Sequence, residues 1–201
     1  MEKPAVTEYD VLPLISHRWS PVLFSDRLVE KEKLLSVLEA ARWAPSSYNE
    51  QPWSFLVATR DQPEAFQRLL HCLVEGNIDW AQHCPVLMIS VAKRQFDRNK
   101  SANRHALHDV GLATENLMLQ ASSLGLFTHG MAGFDVDKTR ETYHIPDSHE
   151  PVVAIALGYA AEKDQSAPEH LRQRDASERS RRPLRSFVFE GKWNQPATFV
   201  G

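Results

Sequence analysis

Four polar clusters in this 201-residue sequence carry side chains whose donors or proton affinity suit chemistry. The first, His17-Arg18-Trp19-Ser20, sets a planar guanidinium fork two residues before a hydroxyl, a pairing that suits phosphate oxygens. The second, Arg179-Ser180-Arg181-Arg182-Pro183-Leu184-Arg185, is either a solvated charged face or, folded back, a cradle for a dianion. The third is the loop Ala44-Pro45-Ser46-Ser47-Tyr48-Asn49-Glu50-Gln51-Pro52-Trp53. Its prolines stiffen it, and the serines and amides between them can bond the polar edge of a heterocycle and a hydroxylated chain. The fourth is His105 and His108 beside Asp109, which can share a helix face and hold a metal. No third ligand stands at a convincing spacing, so the bland alternative is a histidine pair at a helix start or rim. Taken singly, an Arg-x-Ser or a polar turn says little; the elements around them decide what they can do.

Those elements alternate between helical and extended patterns. Over Lys31–Trp43, Leu34, Val37, Leu38 and Ala41 recur at helical spacing, and Ala44-Pro45 ends the run because a residue before proline is pushed out of the α region. Trp53–Thr59 reads as a strand, Pro63–Leu73 as a helix with Phe66, Leu69, Leu70 and Leu73 on one face, and Pro85–Ala92 as a buried strand. The strongest helix is His108–Leu124, whose stripe of Val110, Ala113, Thr114, Leu117, Met118, Ala121 and Leu124 is wide enough for protein on both flanks. Gly125 stands where a left-handed cap ends a helix. An extended stretch over Phe127–Gly133, a short helix near Asp137–Tyr143 and a buried strand over Pro151–Tyr159 follow. From Ala161 to Arg182 the chain is polar, Arg-rich and without apolar periodicity, so it reads as a surface excursion. Apolar character returns at Phe187–Phe189 and Trp193. This alternation indicates an α/β or α+β sandwich of one domain.

Bulk properties narrow the function further. A net charge of −3 offers no general attraction for nucleic acid or an acidic membrane. Cys72 and Cys84 are too few for a disulfide framework and read as reduced core thiols. The acidic opening stretch and the short apolar runs give no signal peptide and no membrane span, so a cytoplasmic protein is expected. The eight glycines never fall as GxGxxG, and Gly125 and Gly130, at P-loop spacing, are followed by Met131 where the lysine should be. GxSxG and HExxH are absent as well.

Taken together and in order, the clusters resemble the nitroreductase family of FMN-dependent oxidoreductases. HRWS is similar to that family's phosphate motif, and APSSYNEQPW to its APS-x-x-N-x-QPW loop almost letter for letter. HDVGLATENLMLQASSLGLFTHGMAGFD is similar to the long central helix with the strand and glycine turn after it. VVAIALGYA and SRRPL are similar to the late strand and the C-terminal arginine motif, so the likeness spans roughly residues 12 to 186.

The resemblance implies an α+β fold, a three-layer α/β/α sandwich around a mixed, mostly antiparallel sheet. It implies a homodimer with flavin sites at the interface and a C-terminal segment, about 183–201, on the partner subunit. It implies non-covalently bound FMN, with Arg18, Ser20 and Arg181 or Arg182 at the phosphate and Trp19 in the place of the family's second arginine. Ser47, Asn49 and Gln51 would bond the isoalloxazine and ribityl parts, Pro45 and Ser46 would shape the loop, and Gly130, Met131, Ala132 and Gly133 would lie along the ring. The implied activity is ping-pong hydride transfer from NADH or NADPH through flavin N5 to a small oxidised acceptor, a nitroaromatic or quinone. No side chain is then obligatorily catalytic, and His105 and His108 stand near the expected substrate pocket. Dehalogenation, flavin destruction, or flavin sensing without turnover remain open alternatives. Val22 and Leu23 depart from the family's basic positions, which shifts the expected phosphate grip towards Arg18 and the C-terminal arginines.

Overall fold

Two apolar runs with opposite faces buried organise the chain. A computed structural model describes residues 3–161 and 167–200. In it the strands β1 (Trp53–Thr59), β2 (Val86–Lys93), β3 (Phe127–Met131) and β4 (His149–Gly158) form one sheet in the order β1-β2-β4-β3. Every ladder among the described residues is antiparallel, with Met88 opposite Ile155, and Leu87 opposite Ala156.

Side chains alternate across a strand, so β2 and β4 feed two cores. On one face Leu87, Ile89, Ala154, Ala156 and Met131 pack with Phe66, Leu69 and Leu70 of α3 (Pro63–Leu70) and with Trp80 and Ala81 of α4 (Glu75–Ala81). On the other, Val86, Met88, Ile155 and Leu157 meet Val37 and Ala41 of α2 (Lys31–Arg42) and Ala113, Leu117 and Ala121 of α5 (Ala106–Ser123). The result is a three-layer α+β sandwich, as the resemblance implies; the alternating pattern alone left α/β open. Short helices α1 (Pro13–His17), α6 (Val136–Tyr143) and α7 (Glu169–Ala176) complete it.

The elements depart from the sequence reading where local pattern is thin. The helix over Pro63–Leu73 stops at Leu70, and Leu73 bridges Phe134 instead. The extended stretch after α5 ends at Met131. Helices α1 and α4 have no counterpart in the periodicity. The expected surface excursion over Ala161–Arg182 contains α7, with Leu171 and Asp175 buried one turn apart; residues 162–166 of that excursion lie outside the described residues. Asp175 is buried because its carboxylate caps the chain entering the core, accepting from Val22 N–H at 2.8 Å and Leu23 N–H at 3.2 Å.

Gly125 follows α5 with φ 73°, the left-handed conformation expected there. Cys72 and Cys84 are buried free thiols. Burial pushes the Cys84 thiol up to about 12, so it stays protonated and donates to the Val86 and Leu157 carbonyls. None of the described helices is long and apolar enough to cross a membrane.

Gly158 ends β4 where Pro85 and Phe24 close over the sheet; a Cβ there would stand 2.6 Å from Pro85 Cδ and Cγ and 3.2 Å from Phe24. Gly158→Ala therefore overpacks this edge and is expected to cost about 1–3 kcal/mol. Gly76→Ala, whose Cβ meets nothing within 4 Å, is expected to be neutral or slightly stabilising. Paired thermal melts check this, and a Gly158→Ala protein as stable as the native one would show that the edge has slack.

Candidate functional site

One arginine joins the two ends of the chain. Arg179 Nη1 donates to the Lys3 carbonyl at 2.6 Å and to the Ser16 carbonyl at 2.6 Å, while Nη2 donates to the Arg18 carbonyl at 2.8 Å. The planar fork suits several carbonyls at once, and no acidic side chain is involved. Burial first, then the nearby Arg18 and Arg181 charges, lower its pKa, but an arginine remains a cation. Arg18, its backbone held in this way, points its own guanidinium towards Ser20, with Nη1 3.3 Å from the Ser20 hydroxyl.

A cavity of about 1240 Å³ opens beside this clamp. Arg18, Ser20, Gly130, Arg179, Arg181 and Arg182 contribute to its wall, together with the N-terminal arm over residues 5–11 and with Glu115 and Met118 of α5. The guanidiniums of Arg18, Arg181 and Arg182 and the Ser20 hydroxyl around one space form a donor set for a multiply charged oxyanion. The volume exceeds the ~300–1,000 Å³ usual for a ligand pocket.

Behind the wall, His129 on β3 holds the loop after Ser20. Its Nδ1 lies 2.8 Å from the Pro21 carbonyl, which only accepts, so Nδ1 carries the proton. Burial pushes the imidazole below its usual range, with a backbone bond to Pro21 opposing and the Arg174 and Arg18 charges adding to the fall.

Not all of the expected residues meet there. Arg18, Ser20, Gly130, Arg181 and Arg182 line the cavity; Trp19 does not, because it is buried with its ring 5.8 Å from that of Phe127, edge to face. Met131 turns into the core beyond the sheet, and a Cβ on Gly133 would strike Asn77 Nδ2 at 2.6 Å. Packing against α4 thus explains the second glycine. Ala132 lies exposed between them and does not reach the cavity wall.

Pro45, Ser46, Ser47, Asn49 and Gln51 stand elsewhere, over the start of α5. The buried Asp109 carboxylate accepts from Ser47 N–H at 3.0 Å and lies 3.1 Å from His108 Nδ1. Ser46 Oγ accepts from Gln51 N–H at 3.0 Å. Three non-glycine residues here, Tyr48, Asn49 and Gln51, have φ near +50° to +55°. Such backbone costs of order 1 kcal/mol or more per residue and persists where its surroundings over-determine it. His105 accepts from Arg104 Nε at 3.3 Å, and among the described residues no group of three metal-ligating side chains exists.

Asp109 and Glu115 are six positions apart on α5, which at 100° per residue puts them about a third of a turn apart around the helix. The loop and the cavity thus belong to different faces of α5.

Comparisons with known proteins converge. The family model described as the nitroreductase family matches residues 15–159. A crystal structure described as an oxidoreductase containing FMN superposes with a TM-score of 0.86 at 34% identity, covering 94% of this chain and 96% of that one. A nitroreductase family protein from Clostridium difficile 630 gives 0.68 at 27% identity, covering 89% and 96%. A Methanothermobacter thermautotrophicus protein, provisionally named an NADH dehydrogenase/NAD(P)H nitroreductase, is 29% identical over 161 residues, 78% of this chain and 81% of its own.

His129 gives this wall a pH dependence. Its folded pKa lies below the unfolded value, so the native state is fully favoured above about pH 6.5 and loses stability as pH falls below it, until the folded group also protonates. The melting temperature of His129→Gln, which keeps a donor for Pro21, is expected to fall less than the native one between about pH 7.5 and 5.5. Equal slopes would show that the imidazole protonates without cost.

Proposed function

Since this chain belongs to the nitroreductase family, we propose that it is a flavoprotein that binds FMN non-covalently and passes electrons from NADH or NADPH to a small oxidised acceptor, a nitroaromatic or a quinone. The observation that carries this reading is the convergence of Arg18, Ser20, Arg181 and Arg182 from opposite ends of the chain on one cavity.

In this reading Arg18, Arg181 and Arg182 neutralise the phosphate, and Ser20 adds a hydrogen bond. Arg179 spends its donors on carbonyls and positions Arg18. Gly130, with no side chain, leaves room for the ligand, since a Cβ there would already touch Met118 at 3.4 Å. Ser47, Asn49 and Gln51 bond the polar edge of the ring system, with Pro45 and Ser46 setting the loop, and Asp109 anchors that loop through Ser47 N–H. Bound FMN supplies the two-electron redox centre that no side chain of this protein can provide. For a nitro acceptor, one NAD(P)H and one proton give the nitroso product, NAD(P)⁺ and water. The protein's part is to orient both partners in turn.

Because the loop and the cavity lie on different faces of α5, the reading requires a second copy of the chain, whose loop completes each site. Leu107, Gly111 and Glu115, exposed at successive four-residue steps along α5, supply a face for that two-fold contact. Phe187, Trp193 and Phe199, all more than half exposed, form a C-terminal arm for the partner. A cytoplasmic site of action fits the unpaired, buried Cys72 and Cys84.

The test is the visible spectrum. Native protein is expected to purify yellow with one FMN per chain, and the Arg18→Ala/Arg182→Ala double variant to purify colourless while remaining folded. A fully yellow double variant would refute the phosphate assignment.

A further inference from the structure

The lid over residues 94–105, between β2 and α5, carries two arginines, Arg98 and Arg104, that neither the lid nor the proline-flanked loop neutralises. These two segments contain only two carboxylates, Glu50 and Asp97. The Asp97 carboxylate pairs with Lys93 and, at 3.1 Å, with Lys100. Glu50 accepts from Asp97 N–H at 2.5 Å and faces Lys93 at 3.7 Å. Both acids are therefore spent on lysines and backbone, and their contacts lash the lid to the loop. Arg94 has its own partner in Glu150.

Of the two, Arg98 lies against the loop. Its guanidinium carbon sits 4.3 Å from the centre of the Tyr48 ring and 5.4 Å from that of Phe96. Those rings meet edge to face at 6.0 Å, with Phe96 buried and Tyr48 75% exposed. The aromatic faces hold the cation in place and leave its N–H edge without a hydrogen-bond or ion-pair partner among the described residues. Tyr48 is also at φ 54°, ψ 23°, a left-handed conformation that a bulky residue rarely adopts. An exposed ring in a costly conformation gains nothing from the core, so its value lies in what it touches.

We propose that Tyr48, Phe96 and Arg98 form the acceptor-selecting corner of the flavin site and that this corner takes planar aromatic carboxylates. This rests on the flavin reading, because Tyr48 stands between Ser47 and Asn49, two of the residues assigned to the ring system. A flat acceptor laid against that ring system has its edge beside Tyr48 and Arg98. The tyrosine ring offers an aromatic surface for stacking, and the guanidinium fork matches a carboxylate in two parallel hydrogen bonds. A neutral amide of the same shape keeps the stacking and loses the charge-assisted pair, a difference of about tenfold in affinity.

The test compares native protein, Arg98→Gln and Arg98→Lys, all FMN-loaded, with 4-nitrobenzoate and 4-nitrobenzamide as acceptors. Calorimetry with unreducible benzoate and benzamide gives binding without turnover. The ratio of kcat/KM for the acid to that for the amide is expected to fall about tenfold in Arg98→Gln, through KM, and to recover in part in Arg98→Lys. Benzoate is expected to bind native protein more tightly than benzamide by a similar factor, and Arg98→Gln to lose that preference. An unchanged ratio in Arg98→Gln overturns the proposal. So does a change confined to the KM of NADPH relative to NADH, which would make Arg98 a reader of the nucleotide phosphate. Colourless protein that takes up no FMN refutes the flavin reading instead, while the benzoate preference measured by calorimetry still decides whether the corner recognises carboxylates.

Discussion

The Arg179 guanidinium, bonded to three backbone carbonyls, is the constraint on which the rest of the site depends. Lys3, Ser16 and Arg18 belong to the first eighteen residues, and Arg179 stands more than 160 residues later. Bringing such distant segments together carries a loop-closure cost that must be offset by contacts made on arrival. The carbonyls of Lys3 and Arg18 are half-buried and the Ser16 carbonyl also accepts from Ala5 N–H, so removing this one side chain takes away the tie between the two ends and leaves the N-terminal arm its own contacts. Asp175, on α7, works in the same direction, capping Val22 and Leu23 just past the cavity-facing Arg18 and Ser20. Its burial raises the carboxyl's pKa while the two N–H bonds oppose that rise. Function here begins with two backbone clasps, and the side chains that face the cavity follow from them.

The sandwich supplies the rigidity that these clasps need. Its two cores share one antiparallel sheet, so β3, which carries His129 and Gly130, cannot shift without disturbing both. Helix α5 has two duties on two faces: Asp109 anchors the strained loop near its start, and Glu115 and Met118 border the cavity further along. A helix used in this way fixes the angle between the loop and the cavity. The strain at Tyr48, Asn49 and Gln51 is held by Asp109, by Ser46 and by the lysine-bound Glu50, all contacts made outside the backbone it bends.

What the sequence reveals, and what it hides, follows from this division. Strands β2 and β4 and helix α5 are legible because burial on both sides demands unbroken apolar runs or a wide stripe. Arg18, Ser20, Arg181 and Arg182 are legible because they sit in motifs whose order resembles a known family. Helix α7 is not: its inward stripe is one leucine and one carboxylate, and a carboxylate that caps distant backbone leaves no periodic trace. Arg179 stands within the basic run without a legible role, because its partners are carbonyls, which every residue has. The N-terminal arm escapes for a similar reason, since its apolar side chains border a cavity and follow no helical or strand period. The separation of loop and cavity on α5 is a fact of rotation about a helix, visible only once both are placed.

The central claim is that guanidiniums from both ends of the chain recognise a phosphate, and a comparison of FMN with riboflavin tests it most directly. The two ligands share ring and ribityl chain and differ only in that phosphate. With two or more charge-assisted hydrogen bonds at stake, native protein is predicted to bind FMN at least about a hundredfold more tightly than riboflavin at moderate salt. Equal dissociation constants for the two flavins would contradict the account.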